Sequence, residues 1–203
     1  GRGALLFNTT ADNNTSVGYQ SLYANTTGAQ NTAVGRNALD ANTTASENTA
    51  IGNSAMGNNT TGAENTAVGS ASLFANTTGA NNVAIGRDSL KANTTASNNT
   101  AVGYQAGTAV TTGTLNTLIG SLAGDAITTG NSNVAVGYQT LSADTLGDRN
   151  VAIGLQALMS QNFTSSTDSY NTAVGYAAGL SVTTGQVNTL VGGLSGDALT
   201  TGG

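Results

Sequence analysis

The sequence predicts an all-β chain, folded as a parallel β-solenoid of about twelve coils, and three observations support this. A glycine recurs every 17 residues, with one interval of 21 between Gly154 and Gly175. Val or Ile precedes each of these glycines, and asparagine stands four positions before it. Only 7% of residues are charged, against about 25% in ordinary globular domains. A fixed period near 20 residues is typical of solenoids, so residues 1–203 form one repeat domain.

The first five positions of each coil predict a short strand. We number the coil from its asparagine, so that Asn31 to Gly35 occupy positions one to five. Alternation places positions two and four on one face and positions one, three and five, which are small or polar, on the other. We expect position four to form the core, at Val34, Ile51, Val68, Ile85 and Val102. We expect position one to stack as an amide ladder, at Asn31, Asn48 and Asn65.

The second half of the coil predicts another short strand and then an Asn-Thr-Thr turn. Position nine supplies core volume, as at Leu39 and Leu73, and position twelve is usually asparagine. We expect asparagine and glycine at the corners because both tolerate positive φ. Four coils reverse the pattern, with glycine at position nine and an aliphatic residue at position twelve. These coils, which keep one large apolar residue each, are found at Gly107/Val110, Gly124/Ile127, Gly179/Val182 and Gly196/Leu199.

The small core of a single rod predicts self-association. Two or three buried aliphatic side chains per coil contribute about 1.5–3 kcal/mol each. Ordering the backbone costs about 1–2 kcal/mol per residue, so one thin stack is short of stabilisation. We therefore expect several copies to pack along the small-residue face. A monomeric three-sided β-helix is the alternative architecture.

Composition excludes several functional classes. The chain has no cysteine and no histidine, which excludes Cys/His zinc sites, thiol nucleophiles and imidazole catalysis. A net charge of −5 without a basic cluster argues against nucleic acid as a partner. No apolar run approaches the roughly 20 residues of a membrane span, so no membrane insertion is expected of this segment. No cofactor or metal is expected.

Two phrases carry a family resemblance. Asn99-Thr100-Ala101-Val102-Gly103-Tyr104-Gln105 and Val83-Ala84-Ile85-Gly86 resemble the YadA-like head repeats of trimeric autotransporter adhesins and the repeats of related bacteriophage tail-fibre proteins. The resemblance covers essentially the whole chain. It implies a left-handed β-roll, a homotrimer, and an extracellular location on a virion tail fibre or a bacterial cell surface. It also implies binding to a host-cell glycan or protein.

The longer coil, residues 150–170, and the aromatic residues supply candidate recognition sites. We expect segment 161–170 to protrude as a loop, with recognition through Phe163, Thr164, Asp168 and Tyr170; a tolerated surface insertion is the plainer interpretation. At position six, Tyr19, Tyr104, Tyr138 and Tyr176 form a glycan-binding stripe or cover a coil edge.

The leading functional prediction is a non-enzymatic segment of a longer fibre or adhesin. End-to-end stacking into a filament is the alternative, since residues 1–13 and Gly203 fit the repeat without caps. Glu47 and Glu64 would lie about 5 Å apart if the coils stack, a carboxylate spacing that suggests a polysaccharide depolymerase as a further alternative. Threonine pairs such as Thr26-Thr27 suggest an ice-binding solenoid as another alternative, although the sequence has no Thr-x-Thr face. The Asn-Thr-Thr triplets match the N-glycosylation pattern, although turn chemistry also explains them.

Overall fold

The computed structural model describes residues 1–202, which contain strands but no helix. Eleven three-residue strands form one parallel sheet in chain order, and two two-residue strands form a second. The prediction of an all-β parallel β-solenoid is confirmed, with about ten turns. The strands are β1 (Thr15–Val17), β2 (Thr32–Val34), β3 (Thr49–Ile51), β4 (Thr66–Val68), β5 (Val83–Ile85), β6 (Thr100–Val102), β7 (Thr117–Ile119), β8 (Val134–Val136), β9 (Gly147–Asp148), β10 (Val151–Ile153), β11 (Thr167–Asp168), β12 (Thr172–Val174) and β13 (Thr189–Val191).

Equivalent positions of successive coils lie directly above one another. Thr32 pairs with Thr49 and Val34 with Ile51, and the same register continues from Ile51 to Val68. At the usual strand separation, eleven strands make a sheet about 50 Å long. The turns are fewer than the predicted twelve because residues 1–13 and 193–202 add no strand to this sheet.

The sheet turns its alanine side inward. Ala33 and Ala50 at position three are fully buried, whereas Val34 is half-buried and Ile51 is 40% exposed. The prediction that position four forms the core is therefore wrong for the single chain. Alternation permits either face to point inward, and alanine allows the opposite wall of the thin coil to approach. The outward residues are Val34, Ile51, Val68, Ile85 and Val102.

The small-residue face is consequently the interior of the coil and cannot receive a neighbouring copy. The chain also covers itself well: its accessible surface is 7980 Å², against about 8,700 Å² for a folded monomer of this mass. Core volume alone therefore does not require further copies.

The opposite wall is lined by the leucine column. Leu39 and Leu73 are fully buried, but the segment that carries them is a series of turns, so the predicted second strand is wrong. Leu39 has a φ of 54°, which breaks the extended conformation. Its N–H still donates to the next coil, to the carbonyl of Ala55 at 3.0 Å.

Positive φ occurs at positions five, seven, nine and seventeen, and the asparagines at positions one and twelve do not have it. The conformational reason expected for those asparagines is therefore wrong. In the reversed coils, glycine takes position nine, with a φ of 58° at Gly107. Position five has two causes for its glycine, the first being a φ of 142° at Gly35 and the second being space. A Cβ on Gly35 would lie 2.3 Å from the carbonyl oxygen of Gly52, so only glycine allows this stacking distance.

Two buried asparagine columns tie the coils together. At position one, the N–H of Asn48 donates to Oδ1 of Asn31 at 3.0 Å, and Nδ2 of Asn48 donates to the Gly62 carbonyl at 3.0 Å. At position twelve, Nδ2 of Asn42 donates to Oδ1 of Asn25 at 2.8 Å. Both columns satisfy backbone and side-chain groups in a dry interior, where unpaired polar groups are costly. The second ladder was not expected, because position twelve was interpreted only as a turn.

The reversed coils are filled by a leucine that the repeat pattern did not single out. A Cβ on Gly107 would lie 2.6 Å from Leu118 Cδ1, and one on Gly124 would lie 2.8 Å from Leu118 Cδ2. Leu118 therefore fills the space left by both glycines, and Leu190 does the same between Gly179 and Gly196. The asparagine ladder at position twelve stops where these coils begin: Oδ1 of Asn93 is buried without a partner, because the next coil has Val110.

Replacing Leu118 with alanine tests this packing. Leu118→Ala is expected to lower the free energy of unfolding by about 2–5 kcal/mol, since the cavity spans two glycine positions and cannot collapse. Chemical denaturation followed by circular dichroism measures it. Leu115→Ala is the matched control, because Leu115 is 59% exposed and should change stability little. Equal effects of the two substitutions would contradict the packing described.

Candidate functional site

The longer coil is folded onto the stack rather than extended as an open loop. Two of its residues pair in parallel with the preceding coil, Thr167 with Gly147 and Asp168 with Asp148. Phe163 is only 4% exposed, so the prediction that it stacks on a ligand is wrong. The expected loop is therefore a packed bulge, and the repeat pattern alone did not predict the position of the Phe163 ring.

A buried carboxylate anchors this bulge. Asp144 takes the place of the position-twelve asparagine and accepts from Gln161 Nε2 at 2.6 Å, from the Gly147 N–H at 3.0 Å and from the Phe163 N–H at 3.4 Å. Gln161 in turn accepts from Asn171 Nδ2 at 2.8 Å. Burial raises the pKa of the Asp144 carboxyl, while these hydrogen bonds oppose the rise. The network serves to hold the bulge in place.

The polar side chains on the exposed part of the bulge contact one another. Arg149 forms an ion pair with Asp168, and its guanidinium lies 5.7 Å from the centroid of the Tyr170 ring. The Tyr170 hydroxyl donates to Asp168 at 3.4 Å. Asp168 was expected to accept hydrogen bonds from a ligand, but the structure already gives it two partners. Thr164 is exposed, as a surface contact residue would be.

The position-six tyrosines all lie on the surface. Tyr19, Tyr104, Tyr138 and Tyr176 are 45–57% exposed. They share a column but are not in consecutive coils, since Arg87, Ser121 and Leu155 occupy the same position between them. The guanidinium of Arg87 lies 5.9 Å from the Tyr104 ring centroid. This column therefore offers separate aromatic surfaces rather than a continuous stack.

A surface cavity of about 300 Å³ lies at the first two coils. It opens between position six, which supplies Arg2 and Tyr19, and position ten, which supplies Leu6 and Tyr23. Sequence reasoning considered position six alone and missed this site. The available signal was the pair of tyrosines at Tyr19 and Tyr23, four residues apart on one coil. The lining residues are Arg2, Gly3, Leu6, Tyr19, Gln20 and Tyr23.

The remaining sequence candidates are resolved by burial. Asn25, Asn42, Asn76 and Asn93 are fully buried, so these Asn-Thr-Thr sites cannot accept a glycan while the chain is folded. Glu47 and Glu64 are exposed. Within residues 1–202 no group of three or more acidic, histidine or cysteine side chains is placed to hold a metal ion. That same part of the chain contains no helix with the length and apolar character needed to cross a membrane.

No family model, curated protein or solved structure matches this chain. Its resemblance to adhesin heads and tail fibres therefore depends on the short repeated phrases alone.

Asp125, at position ten, provides a test of the electrostatics of this side of the coil. Its Oδ1 is buried without a partner, and burial raises the pKa of its carboxyl above the ordinary value for aspartate. A raised folded-state pKa means that folding is favoured below the unfolded pKa and loses this contribution as pH rises. Asp125→Thr, which copies Thr108 of the preceding coil, should therefore raise the Tm at neutral pH.

The gain should shrink as the pH falls through about 4 and towards about 3, because the wild-type carboxyl then becomes protonated in both states. Asp197→Thr is the control, because Asp197 occupies the same position in the matching block but is exposed. Thermal unfolding of both variants across this pH range decides the matter. A gain for Asp125→Thr that is the same at every pH would contradict the burial of a charged carboxylate.

Proposed function

We propose that this chain is a non-enzymatic segment of an extracellular fibre or adhesin, on a virion or a bacterial surface, in which three copies lie side by side. The observation that carries the proposal is the outer face of the sheet, defined as positions two and four of the eleven strands of the large sheet. It is regular, uncharged and partly exposed along the whole stack.

The construction of the coil favours a mechanical role. Every coil is joined to the next by strand pairing in register and by buried asparagine side chains. Bending the stack would strain many of these bonds at once, so the rod is stiff without disulfides or metals. Each added coil lengthens the rod by one strand spacing and needs no new fold.

The outer sheet face is constant although the interior does not require it to be. Position two is threonine or valine and position four is valine or isoleucine in all eleven strands. An outward position facing water tolerates many residue types, so this uniformity indicates contact with something equally repetitive. Large contiguous apolar surfaces on soluble proteins mark interaction sites.

Another copy of the same chain is the partner that suits this face. The face is about 50 Å long and about 10 Å wide, so two copies in contact would bury roughly 1,000 Å², near the lower limit for a specific interface. Isoleucine alternates with valine along much of position four, at Ile51, Ile85, Ile119 and Ile153. Alternating large and small side chains allow facing layers to interdigitate. The number of copies, three, comes from the family resemblance.

Ice binding is the second candidate, because the outer sheet face presents in-register rows of threonine hydroxyls and aliphatic methyl groups. The Thr-x-Thr pattern is absent, but a Thr-x-Val or Thr-x-Ile pattern repeats from coil to coil. The alternation of side-chain size makes this face less even than a lattice-binding plane, which favours a protein partner. Inhibition of ice recrystallisation by the purified chain would support the second candidate instead.

Charge placed on the outer sheet face tests the assembly. The wild-type chain should have a light-scattering mass about three times its 19.9 kDa. Ile85→Glu combined with Ile119→Glu should convert it to monomers, because facing copies would bring like charges together in an apolar contact. Circular dichroism establishes that the variant keeps its fold.

Thr78→Glu combined with Thr112→Glu is the matched control, since both threonines are exposed at position fourteen. It adds the same charge at the same two-coil spacing and should leave the mass unchanged. A monomeric wild-type chain would refute side-by-side assembly. Filaments of indefinite length in electron micrographs would support end-to-end stacking instead.

A further inference from the structure

Aromatic and basic side chains are concentrated on one side of the coil, which we call the lateral groove and define as positions six and ten. Six of the nine aromatic residues and four of the five basic residues occupy these two positions. Positions two and four carry none of either kind. The aromatic residues are Tyr19, Tyr23, Phe74, Tyr104, Tyr138 and Tyr176, and the basic residues are Arg2, Arg36, Arg87 and Lys91.

Contacts show that the two positions flank a common surface. Asp88, at position seven, forms ion pairs with Arg87 at 3.2 Å and with Lys91 at 3.0 Å, and so joins position six to position ten. The cavity at the first two coils lies between residues of the same two positions. Positions six and ten therefore border a common surface at the first two coils and again at the coil of Asp88.

Two of the arginines are free for a ligand. Within residues 1–202, Arg2 and Arg36 form no ion pair, whereas Arg87 and Lys91 share Asp88. The chain as a whole carries a charge of −5, so these cations are a local departure from its sign. Asp40 lies at position ten of the coil that carries Arg36, so positions six and ten of the first three coils hold two positive charges and one negative charge. The remaining positive charge would favour a ligand with negative charge at this end of the groove.

The spacing of these residues suits a polymer aligned with the rod. Arg2 and Arg36 are two coils apart at position six, as are Tyr104 and Tyr138. Two coils correspond to about 9–10 Å, which is roughly the length of a disaccharide unit in an extended chain. The separation of Arg2 from Arg36 therefore matches one carboxylate in every second sugar.

We propose that the lateral groove binds an acidic polysaccharide lying along the rod, with the cavity at Arg2, Tyr19, Gln20 and Tyr23 as the subsite for one sugar ring. Tyrosine rings offer an apolar face for the sugar and a hydroxyl that remains hydrated. Arg2 and Arg36 pair with carboxylates, and Gln20 supplies donors and acceptors for hydroxyl groups. The inference rests on the proposed function, since it specifies what the fibre surface recognises.

Binding of hyaluronan oligosaccharides, which carry one carboxylate per disaccharide, tests the proposal by fluorescence anisotropy. The wild-type chain should bind them, more weakly as salt increases, and should not bind neutral dextran. Tyr19→Ala and Arg36→Gln should each weaken binding by about tenfold or more. Tyr170→Ala is the control, because Tyr170 is an exposed tyrosine outside the groove, and it should bind as the wild type does.

Three results would overturn the proposal. The first is that the chain binds neither hyaluronan nor a second acidic polysaccharide, polygalacturonate. The others are equal binding of dextran and no effect of Tyr19→Ala and Arg36→Gln. Light scattering on the same samples separates this inference from the assembly. A trimer that binds no acidic glycan refutes the groove alone, whereas a monomer that binds through Tyr19 and Arg36 supports the groove and refutes the assembly.

Discussion

The structure depends on the vertical distance between coils, which parallel strand pairing sets at under 5 Å. At that distance the backbone of one coil touches the next at position five, where a Cβ on Gly52 would meet the Gly69 carbonyl at 2.5 Å. The same distance brings Oδ1 of Asn48 within 3.0 Å of the Asn65 N–H. The glycine period, the asparagine columns and the short strands therefore all follow from the distance between coils.

This dependence explains which parts of the fold the sequence could predict. Period, stacking and register follow from the recurrence of Gly35, Gly52 and their equivalents, because a stack with this short period uses the same residue at every step. The inward face was harder, since Ala50 and Ile51 are both apolar and alternation alone does not distinguish them. The bulge was harder still, because Phe163 and Asp144 occur once each and repetition gives no information about a residue that does not repeat.

The columns of the coil differ in how many contacts constrain them. Asn42 is held by the coil before it and by its own turn, so only a coordinated change can replace it. The reversed coils show such a change: Gly107 and Val110 alter together, and Leu118 fills the space. The cost is visible at Asn93, whose Oδ1 loses its partner at the boundary. Positions inside the stack are thus coupled, and a single substitution there disturbs its neighbours.

Position six is only weakly constrained, because its side chains extend into solvent beside the stack. Tyrosine, arginine, serine, asparagine and leucine all occur there without any change in strand pairing. A repeat protein can acquire specificity only where substitution leaves the stack intact, and in this chain that condition is met along the lateral groove. The outer sheet face is equally free of interior constraint, yet it does not vary. Variation on one surface and uniformity on the other are what the two proposed contacts would require, the first with a glycan lying beside the rod and the second with another copy of the same repeat.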